Sequence, residues 1–544
     1  MNAQFKPGLR ARTVTVALIL VGSLLTGGWF VERGTRFGAA PSRAEAARLF
    51  DDVFQHVGRY YVDSLDNSEL YRLAVDGMLY ELADPYTTLL APERLGRLNE
   101  TTSGNYAGIG LQADVRDGWM VVIAPTPGSA AERAGIQPGD RIIEVNGRST
   151  HGWTLAEAMK AFRGDAGTTV SLMVERPGMG AAMPLRLTRT PLHQSAVRRV
   201  AILPNGVGYL DLKAFSDSTE REVARGIDAL LKRGMKSLIL DLRSNPGGLL
   251  EQGLRVSDLF LGNGQKIVSL RGRAPGANRE YTDSSVQRWP TLPITILVND
   301  RSASAAEIVA GALQDHDRAV IVGESTYGKG SAQTIIPLPA SAGALKITTA
   351  RWFTPSGRSI TRPIERGEED GSDASPTKRD DRRYRTDAGR IVYDGGGITP
   401  DVIESDSANV RGTRELQGAL GRKVSLFRDA LTDYALALKG RREITSQKFV
   451  VTEAMLDEVW NRMLARGVVI DREIFNANAP VVSALLANDI ARYVFGPEAE
   501  FRRRVANDQA IKTALSLTTG IESQSALIAR ASDRQKAQRA AANE

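Results

Sequence analysis

The sequence predicts an α/β fold with helical segments at both ends. From Val207 to about Ile403, apolar runs of strand length alternate with amphipathic helical stretches, a pattern typical of α/β sheets. Between Gly108 and Thr190, short strand patterns separated by glycine-rich turns predict a small β-rich module. Before and after these regions, apolar residues recur at helical spacing. The chain has 544 residues, so several domains are expected.

These patterns divide the chain into five regions. They are a cytoplasmic stub with a membrane anchor or signal (1–40), an N-terminal helical region (41–105), the β-rich module (106–190), the α/β core (191–405) and a C-terminal helical extension (406–544). Within the core, residues 364–390 are rich in charged residues, Ser and Pro and almost lack aliphatic side chains. Such a composition predicts a solvated, mobile excursion.

The amino terminus carries an export signal. Lys6, Arg10 and Arg12 precede an apolar run over residues 13–31, which is close to the length of a membrane-spanning helix. The basic flank favours a cytoplasmic start, which predicts a single-pass cell-membrane protein whose remaining chain lies outside the cytoplasm, in the periplasm. A cleaved signal peptide is the alternative, because residues 37–40 include small side chains, and it would give an exported soluble protein.

Composition excludes several classes of function. The chain has no cysteine, which rules out a thiol nucleophile, disulfides and cysteine-based metal sites. Its four histidines are scattered and form no metal-ligand motif, so we expect neither a metal nor an organic cofactor. The net charge of +7 comes from 70 basic and 63 acidic residues spread along the chain, so we expect no nucleic-acid partner.

A serine at the start of a helix is the first candidate for chemistry. The apolar strand Ile294–Val298 leads to Ser304, where a helix begins. Ser304 with Glu307 three residues later matches a capping box, which would give the serine a purely structural role. The same position suits a nucleophile, because helix amino termini stabilise developing negative charge. Both interpretations stand at this point.

A lysine in a glycine loop is the second candidate. Lys329 lies between Gly328 and Gly330, after the strand Ala319–Val322. A solvated surface lysine is the ordinary interpretation. If the amine were buried beside a serine, desolvation would favour its neutral form, and it could accept the hydroxyl proton. The flanking glycines would allow close backbone packing around it.

A turn upstream is the third candidate. The strand Ser237–Leu242 ends in Asn245-Pro246-Gly247-Gly248. A Pro-Gly-Gly turn at the carboxyl end of a strand can direct backbone amides outward, although a plain turn explains it equally well.

Together the three segments resemble a known family. LRSNPGG, SASAAEI and GKGSAQ resemble, in order and spacing, the signatures of the carboxy-terminal processing peptidases, or tail-specific serine proteases. The resemblance implies a crotonase-like serine peptidase core with an inserted PDZ domain. It implies that Ser304, not Ser302, is the nucleophile, that Lys329 is the general base and that Gln333 orients it. It further implies an oxyanion hole made by backbone amides of Gly247 or Gly248 and of Ala305.

Some members of that family are described with a catalytic aspartate, and Asp315 lies in the corresponding stretch. If one helix runs from Ser304, Asp315 lies about 16 Å away at ~1.5 Å rise per residue. His316 is excluded as a base for the same reason. We therefore favour a Ser–Lys–Gln arrangement.

The β-rich module resembles a PDZ domain. The resemblance rests on Gly108-Ile109-Gly110-Leu111, on residues 125–140 and on residues 142–147. It implies that amides of the Gly108–Leu111 loop receive a terminal carboxylate. The bound peptide would add as a strand beside residues 109–114, against a helix over Thr154–Phe162. Leu111, Leu155 and Met159 would line an apolar pocket for the last side chain.

The predicted function is hydrolysis of peptide bonds in unfolded or flexible carboxyl-terminal tails of exported proteins. The membrane, through the N-terminal segment, and a possible second copy of the chain complete the predicted partners. Two other functions are weighed. A non-catalytic tail-binding chaperone would be expected to lack the serine and lysine, and a hydrolase of small esters or amides would not need a PDZ domain.

Overall fold

The structure is a computed structural model that describes residues 42–339, 343–362, 382–404 and 407–543. The apolar run 13–31, which the sequence predicts to be a membrane helix, lies outside these ranges. Within them, no helix has the length and apolar content needed to cross a bilayer.

The described ranges contain helices and strands throughout. The helices are α1 (Arg43–Tyr60), α2 (Asn67–Glu81), α3 (Pro92–Ser103), α4 (Ala130–Arg133), α5 (Leu155–Phe162), α6 (Thr219–Lys232), α7 (Leu250–Asp258), α8 (Ala305–Asp315), α9 (Ser407–Leu420), α10 (Val424–Arg441), α11 (Glu453–Ala465), α12 (Arg472–Ala477), α13 (Ala479–Phe495), α14 (Pro497–Asn507), α15 (Gln509–Thr518) and α16 (Gln524–Asn543).

The strands are β1 (Thr88–Leu90), β2 (Asn105–Gly108), β3 (Leu111–Arg116), β4 (Trp119–Pro125), β5 (Arg141–Val145), β6 (Arg148–Ser149), β7 (Thr169–Glu175), β8 (Met183–Thr188), β9 (Thr190–His193), β10 (Val197–Leu203), β11 (Val207–Leu212), β12 (Ser237–Asp241), β13 (Lys266–Arg271), β14 (Arg279–Thr282), β15 (Ile294–Val298), β16 (Val320–Gly323), β17 (Ser331–Pro337), β18 (Ala344–Phe353), β19 (Arg383–Arg385), β20 (Ile391–Tyr393) and β21 (Val402–Ile403).

A six-stranded sheet forms the α/β core. Its order is β10-β11-β12-β15-β16-β21, and all neighbours are parallel except β10 and β11. Every residue of β12 and β15 is buried, as expected for parallel strands covered on both faces. Because β12, β15 and β16 are parallel neighbours, their carboxyl ends lie side by side. Ligand sites of open α/β sheets form at this edge.

Two hydrophobic clusters cover the two faces of this sheet. Alternate residues such as Leu240 and Ile296 face helices α6, α7 and α8. Their neighbours, such as Ile239, face the carboxyl-terminal helices α15 and α16, which contribute Leu517 and Leu527 among others. The alternation follows from the two-residue period of a strand.

The strands predicted for the core agree with the observed ones within one residue. Ile294–Val298 is β15, and the predicted strand Ser237–Leu242 ends one residue earlier as β12. The expectation of a mobile excursion over 364–390 is wrong for residues 382–390, where β19 pairs with β20. Arg390 explains this order, because its half-buried guanidinium donates to Asp317 and Asp401. Residues 364–381 lie outside the described ranges.

The β-rich module contains the antiparallel sheet β3-β4-β5-β7-β8, with β6 beside β5. Ile109, Met120, Ile142 and Phe162 are completely or almost completely buried in its core. Helix α5 matches the predicted helix, and Thr154 caps it in a reciprocal pair with Glu157. Strands β3 and β8 are the two end strands of this path.

The helices after residue 407 contact both neighbouring regions. Helices α9 to α13 enclose their own apolar cluster, which includes Phe427, Met463 and Ile490. Helix α10 packs against β3, and a methyl group added at Gly139 would lie 2.6 Å from a methyl carbon of Leu436 on α10. The carboxyl-terminal region therefore contacts the β-rich module at one end and the core sheet at the other.

Residues 42–89 form a separate compact unit, made mainly of α1 and α2. Ser42 caps α1 in a reciprocal pair with Glu45. The rings of Phe54 and Tyr71 lie 4.2 Å apart between the two helices. This unit is helical, as the spacing of its apolar residues predicts.

Candidate active site

The three candidate segments lie at the carboxyl ends of three neighbouring strands. Ser304 follows β15 and precedes α8, and Lys329 lies between β16 and β17. Gly247 and Gly248 lie between β12 and α7. Parallel pairing of β12 with β15 and of β15 with β16 therefore brings together segments that are far apart in sequence.

The backbone of Ser304 is held in a conformation that non-glycine residues rarely adopt. Its φ is +55° and its ψ is −116°, a conformation that persists only where the surroundings enforce it. Its N–H donates to Glu307 Oε2 at 2.8 Å. The N–H of Glu307 donates to the carbonyl oxygen of Ser304 at 2.9 Å. The capping interaction thus fixes the backbone of Ser304 through its N–H and its carbonyl oxygen.

Glu307 is the centre of the site. Its side chain is completely buried, and it accepts four hydrogen bonds. Besides the N–H of Ser304, the donors are Thr326 Oγ1 (2.5 Å), Gly328 N (2.7 Å) and Lys329 N (2.9 Å). Burial raises the pKa of Glu307, and the four hydrogen bonds to its carboxylate oppose that rise. One carboxylate thereby ties the candidate nucleophile to the lysine loop.

The lysine loop packs too tightly to tolerate side chains at its glycines. A methyl group at Gly328 would lie 3.0 Å from the carbonyl oxygen of Ile360, and one at Gly330 would lie 2.4 Å from Thr361 Oγ1. Lys329 is half-buried, and its carbonyl oxygen accepts a hydrogen bond from Trp352 Nε1 at 3.1 Å. The close backbone packing expected at Gly328 and Gly330 is present.

The glycine turn lies directly against Ser304. A methyl group at Gly247 would lie 2.7 Å from the Cβ of Ser304. The N–H of Gly247 donates to Asn245 Oδ1 at 2.9 Å, so this amide already has an acceptor. No hydrogen bond within the described residues occupies the N–H of Gly248 or of Ala305. Of the three amides proposed for an oxyanion hole, Gly248 and Ala305 are therefore the available pair.

Gln333 lies on β17, beyond the lysine loop, and is half-buried. Its Nε2 donates to Ser331 Oγ at 2.9 Å and to Thr348 Oγ1 at 3.2 Å. These two bonds orient the amide group of the side chain.

Asp315 and His316 have structural partners. Helix α8 runs unbroken from Ala305 to Asp315. The Asp315 carboxylate accepts from the completely buried Arg358 at 2.7 Å and from the N–H of Ser356 at 3.0 Å. The imidazole of His316 lies 2.8 Å from Asp387 Oδ2. Both side chains belong to the network at the far end of α8.

The loop predicted to bind a carboxylate begins at the edge of the β-rich module. The N–H of Ile109 donates to the carbonyl oxygen of Phe162 at 3.3 Å, which joins the loop to the end of α5. Gly110 has a φ of +77°, and a methyl group there would lie 2.2 Å from the Cβ of Ser129. The loop shape therefore depends on glycine. Leu111 is buried, whereas Leu155 is exposed at the start of α5.

The sequence did not reveal three important positions. The sequence predicts Glu307 only as a cap partner, and no sequence pattern predicts the contacts of Asn245 and Thr326. The spacing of Glu307 from Ser304 was the available signal, but the bonds to the lysine loop depend on tertiary structure. Within the described ranges, no three Asp, Glu, His or Cys side chains are grouped as a metal site.

Comparisons with known proteins agree with the sequence motifs. The family model for peptidase family S41 matches residues 206–367, and a PDZ-domain model matches residues 121–176. The carboxy-terminal processing protease CtpA of Bacillus subtilis (strain 168) is 34% identical over 358 residues, which cover 65% of this chain and 75% of the relative.

A carboxy-terminal-processing protease of Bartonella bacilliformis is 38% identical over 316 residues, which cover 57% of this chain and 71% of the relative. Among solved structures, a photosystem II D1 C-terminal processing protease is 30% identical to this chain. The match covers 57% of this chain and 89% of that protein, with a TM-score of 0.33. The two sequence relatives each align over more than two thirds of their own length.

Proposed function

This chain belongs to the S41 peptidases of the carboxy-terminal processing type, and from that premise we propose that it is an exported endopeptidase with a Ser304/Lys329 dyad. It is a serine-type protease with a PDZ domain. The finer assignments concern the dyad, the oxyanion donors, the tail-binding site and the location in the cell.

The observation that carries the proposal is the set of bonds around Glu307. Its carboxylate binds the N–H groups of both Ser304 and Lys329. The backbones of the two dyad residues are therefore fixed to one buried group. Such preorganisation lowers the cost of bringing a nucleophile and its base together. A surface lysine and a helix-capping serine would not require this arrangement.

The proposed reaction is acyl transfer followed by hydrolysis. Ser304 Oγ attacks the peptide carbonyl carbon while Lys329 Nζ accepts the hydroxyl proton. The N–H groups of Gly248 and Ala305 stabilise the negative oxygen of the tetrahedral intermediate. The C–N bond then breaks, and Lys329 returns the proton to the leaving amine. Water, deprotonated by the same lysine, then attacks the acyl carbon, the ester C–O bond breaks, and the lysine returns the proton to Ser304 Oγ. Gln333 orients the lysine throughout.

Lys329 must be neutral to accept the proton. The rate constant kcat/KM is therefore expected to rise with pH as the amine loses its proton. No histidine or metal is needed for any step.

The PDZ domain is proposed to select substrates with a flexible carboxyl-terminal tail. The tail would pair with β3, an end strand of its sheet, and place its carboxylate at the Gly108–Leu111 loop. The N–H of Ile109 already has an acceptor in Phe162, so Gly110 and Leu111 are the proposed donors. Leu111, Leu155 and Met159 would contact the last side chain of the tail, which favours apolar carboxyl-terminal residues.

The remaining assignments follow the sequence. We propose export through the N-terminal segment, with the catalytic part extracytoplasmic and periplasmic and the segment kept as an anchor or cleaved as a signal. We propose a crotonase-like core over residues 191–405 and a PDZ domain over 106–190. Unfolded protein tails are the proposed partners, with a second copy of the chain possible and with no nucleic acid, metal or organic cofactor.

The proposal is tested with an unfolded protein carrying an apolar carboxyl-terminal tail. Mass spectrometry of the fragments should show cleavage by the natural sequence and none by Ser304→Ala or Lys329→Ala. Ser302→Ala is the matched control. It leaves Ser304 in place, so we expect measurable cleavage. Cleavage by Ser304→Ala at the natural rate would refute the dyad, and tail binding without any cleavage by the natural sequence would instead indicate a chaperone.

A further inference from the structure

An approach segment, residues 241–245, leads from β12 to the proposed oxyanion turn. It begins at Asp241, the last residue of β12, and ends at Asn245, whose Oδ1 accepts from the N–H of Gly247 at 2.9 Å. Ser244 within it has a φ of +55°, which is uncommon for a residue other than glycine. The place of the oxyanion turn therefore depends on how this segment is held.

Arg243 is the central side chain of the approach segment. Its guanidinium donates to the two carboxylate oxygens of Asp241, from Nε at 3.0 Å and from Nη2 at 2.7 Å. Burial raises the pKa of Asp241, but the charge and hydrogen bonds of Arg243 outweigh burial and lower it. The carbonyl oxygen of Arg243 accepts from Lys213 Nζ at 2.7 Å. Both the side chain and the backbone of Arg243 are thus held in place.

The remaining guanidinium nitrogen of Arg243 bonds to the C-terminal extension. Nη1 donates to Oδ2 of Asp508 at 2.8 Å. Asp508 is also the N-cap of α15, where its Oδ1 accepts from the N–H of Ile511 at 3.0 Å. The side chains of Arg243 and Asp508 are only 22% and 24% exposed, so water screens the pair in part. One carboxylate therefore binds both the start of α15 and the approach segment.

A second contact from the C-terminal extension supports Asp241. The buried Tyr209, on β11, donates from its hydroxyl to Oδ2 of Asp241 at 2.7 Å. Burial and the charge of Asp241 raise the pKa of this hydroxyl, so it stays protonated and remains a donor. The Tyr209 ring lies 5.4 Å, between centroids, from that of Phe501 on α14. The C-terminal extension therefore contacts the Asp241–Arg243 pair at both of its members.

The approach segment is bonded in turn to the loop before the nucleophile. The N–H of Ser244 donates to Oδ1 of Asn299 at 2.8 Å. The N–H of Ala303 donates to the carbonyl oxygen of Asn245 at 2.9 Å. A change in the place of the approach segment would therefore affect both loops that supply the proposed oxyanion donors.

We propose that Asp508 is a positioning residue for the proposed oxyanion hole and acts through Arg243. Its carboxylate holds the guanidinium, the guanidinium holds the approach segment, and that segment places the N–H of Gly248. This inference rests on the proposed peptidase function. It gives the C-terminal extension a role in kcat and none in the binding of a carboxyl-terminal tail.

Two substitutions at position 508 separate the ion pair from the helix cap. Asp508→Asn keeps a good N-cap, because an amide oxygen can still accept from Ile511, but it removes the charge that binds Arg243. For a short peptide that lacks a tail, kcat should fall about tenfold, less than the ~10²-fold that a 1 Å misplacement can cost. KM should stay within about twofold, because Asp508 does not contact the substrate in this proposal.

Asp508→Glu keeps the charge, although Glu is not a preferred N-cap. Its kcat should therefore stay within about threefold of the natural value. Thermal unfolding should show that Asp508→Glu is at least as destabilised as Asp508→Asn. A larger loss of kcat in the Asn variant would then not be explained by stability.

The matched control is Asp471→Asn. Asp471 is the N-cap of α12 in the same extension, where it accepts from the N–H of Glu473 at 2.8 Å. Among the described residues it makes no hydrogen bond or ion pair with the approach segment. Its replacement should leave kcat and KM unchanged.

A short peptide aldehyde measures the oxyanion hole directly. Ser304 Oγ adds to the aldehyde carbon and the hydroxyl proton passes to Lys329. The aldehyde oxygen becomes the negative oxygen that the N–H groups of Gly248 and Ala305 are proposed to bind. Asp508→Asn should weaken aldehyde binding about tenfold, and should leave binding of the matching peptide alcohol, which forms no adduct, within about twofold.

The outcomes separate this inference from the proposed function. An unchanged kcat in Asp508→Asn, a change in KM alone, or equal weakening of aldehyde and alcohol binding would overturn the positioning role and leave the Ser304 peptidase intact. Equal losses of kcat in the Asn and Glu variants would assign the effect to the helix cap and would also overturn it. Failure of the natural sequence to cleave any substrate would refute the proposed function itself.

Discussion

The peptidase core and the PDZ domain hold their functional backbone in different ways. In the core, the backbones of Ser304 and Lys329 are bound by a completely buried carboxylate. In the PDZ domain, the proposed binding element is the edge strand β3, whose shape is set by Gly110 and by apolar packing. The core site is therefore fixed by buried polar bonds, whereas the PDZ edge is left able to accept another strand.

This difference reflects what each region must do. Bond cleavage requires a few groups fixed to within a fraction of an ångström, and buried hydrogen bonds provide that fixation. Strand addition uses backbone groups that every peptide carries, so an unpaired edge is sufficient. Loss of a buried polar group should accordingly cost the core much more than loss of a surface contact costs the PDZ domain.

The largest expected effect concerns Glu307. In Glu307→Gln, an amide nitrogen replaces one carboxylate oxygen. The nitrogen cannot accept the hydrogen bonds that this oxygen accepts. We expect kcat to fall by about 10²–10³, as much as the loss of an oxyanion-hole donor costs, because Ser304 and the lysine loop lose their shared acceptor. Steady-state kinetics on the short peptide measures this.

Glu251→Gln, on the exposed face of α7, is the control and should leave kcat unchanged. A fall of less than about threefold in Glu307→Gln would show that the polar bonds of the core are not what fixes the dyad.

The second prediction concerns Asp283, a buried polar group of the core that is expected to lower stability at high pH. Asp283, just after β14, is buried, and burial together with the charge of Asp258 raises its pKa to about 6. Because the folded-state pKa lies above the unfolded value, this group's contribution to stability is full below about pH 4 and is lost as pH rises through about 6. Asp283→Asn cannot ionise, so it should raise the free energy of unfolding by about 2 kcal/mol at pH 8 and by much less at pH 4.

Urea unfolding at the two pH values measures this difference. Asp300→Asn, an exposed carboxylate, is the control and should show no such pH dependence. A gain that is equal at both pH values would exclude ionisation of Asp283 as its cause.

The third prediction tests the PDZ loop. Gly110→Ala introduces a side chain at a φ of +77° and against Ser129. Strain of about 1–3 kcal/mol should deform the loop. We expect KM for the tailed protein to rise about tenfold, with turnover of the short peptide unchanged.

Gly152→Ala is the matched control, because Gly152 has a φ of +79° in the same domain but no atom within 4 Å of an added methyl group. Equal effects of the two substitutions on KM would indicate general destabilisation of the domain and would contradict a role of the Gly110 loop in binding.

The smallest expected effect concerns the contact between the PDZ domain and the carboxyl-terminal helices. Arg466, after α11, donates to both oxygens of Asp117 at 3.2 and 3.1 Å, at the turn between β3 and β4. The pair is partly exposed, so Arg466→Ala should lower the free energy of unfolding by about 1 kcal/mol or less. The effect should shrink further at high salt, because exposed charges are screened.

Thermal unfolding at two salt concentrations, with Arg504→Ala as an exposed control, measures it. A decrease in the free energy of unfolding several times larger would mean that the helices hold the PDZ domain through this ion pair. The PDZ domain would then depend on a polar contact as the core does.

The sequence predicts the core strands and the glycine positions of the three candidate segments well, because these depend on local patterns. The run Ile294–Val298 is apolar throughout, and the motif glycines mark positions where a side chain would collide with neighbouring backbone. The role of Glu307 could not be predicted, because its bonds reach across the sheet to residues 326–329. The sequence likewise cannot tell which amide, that of Gly247 or that of Gly248, is available to an oxyanion. In the structure the N–H of Gly247 is occupied because it donates to Asn245 Oδ1.

The packing of α15 and α16 on the core sheet has a consequence for how the protein matures. Ile239, Leu297 and Val322 are buried beneath these helices. A nascent chain that has reached only residue 405 leaves one entire side of the peptidase sheet in contact with water, and this side is rich in β-branched and aliphatic residues. Such an intermediate is prone to aggregation, and the hydrophobic core on this side of the sheet cannot form. Protease activity should therefore arise only after residues 511–531 have been synthesised and have covered this face of the sheet.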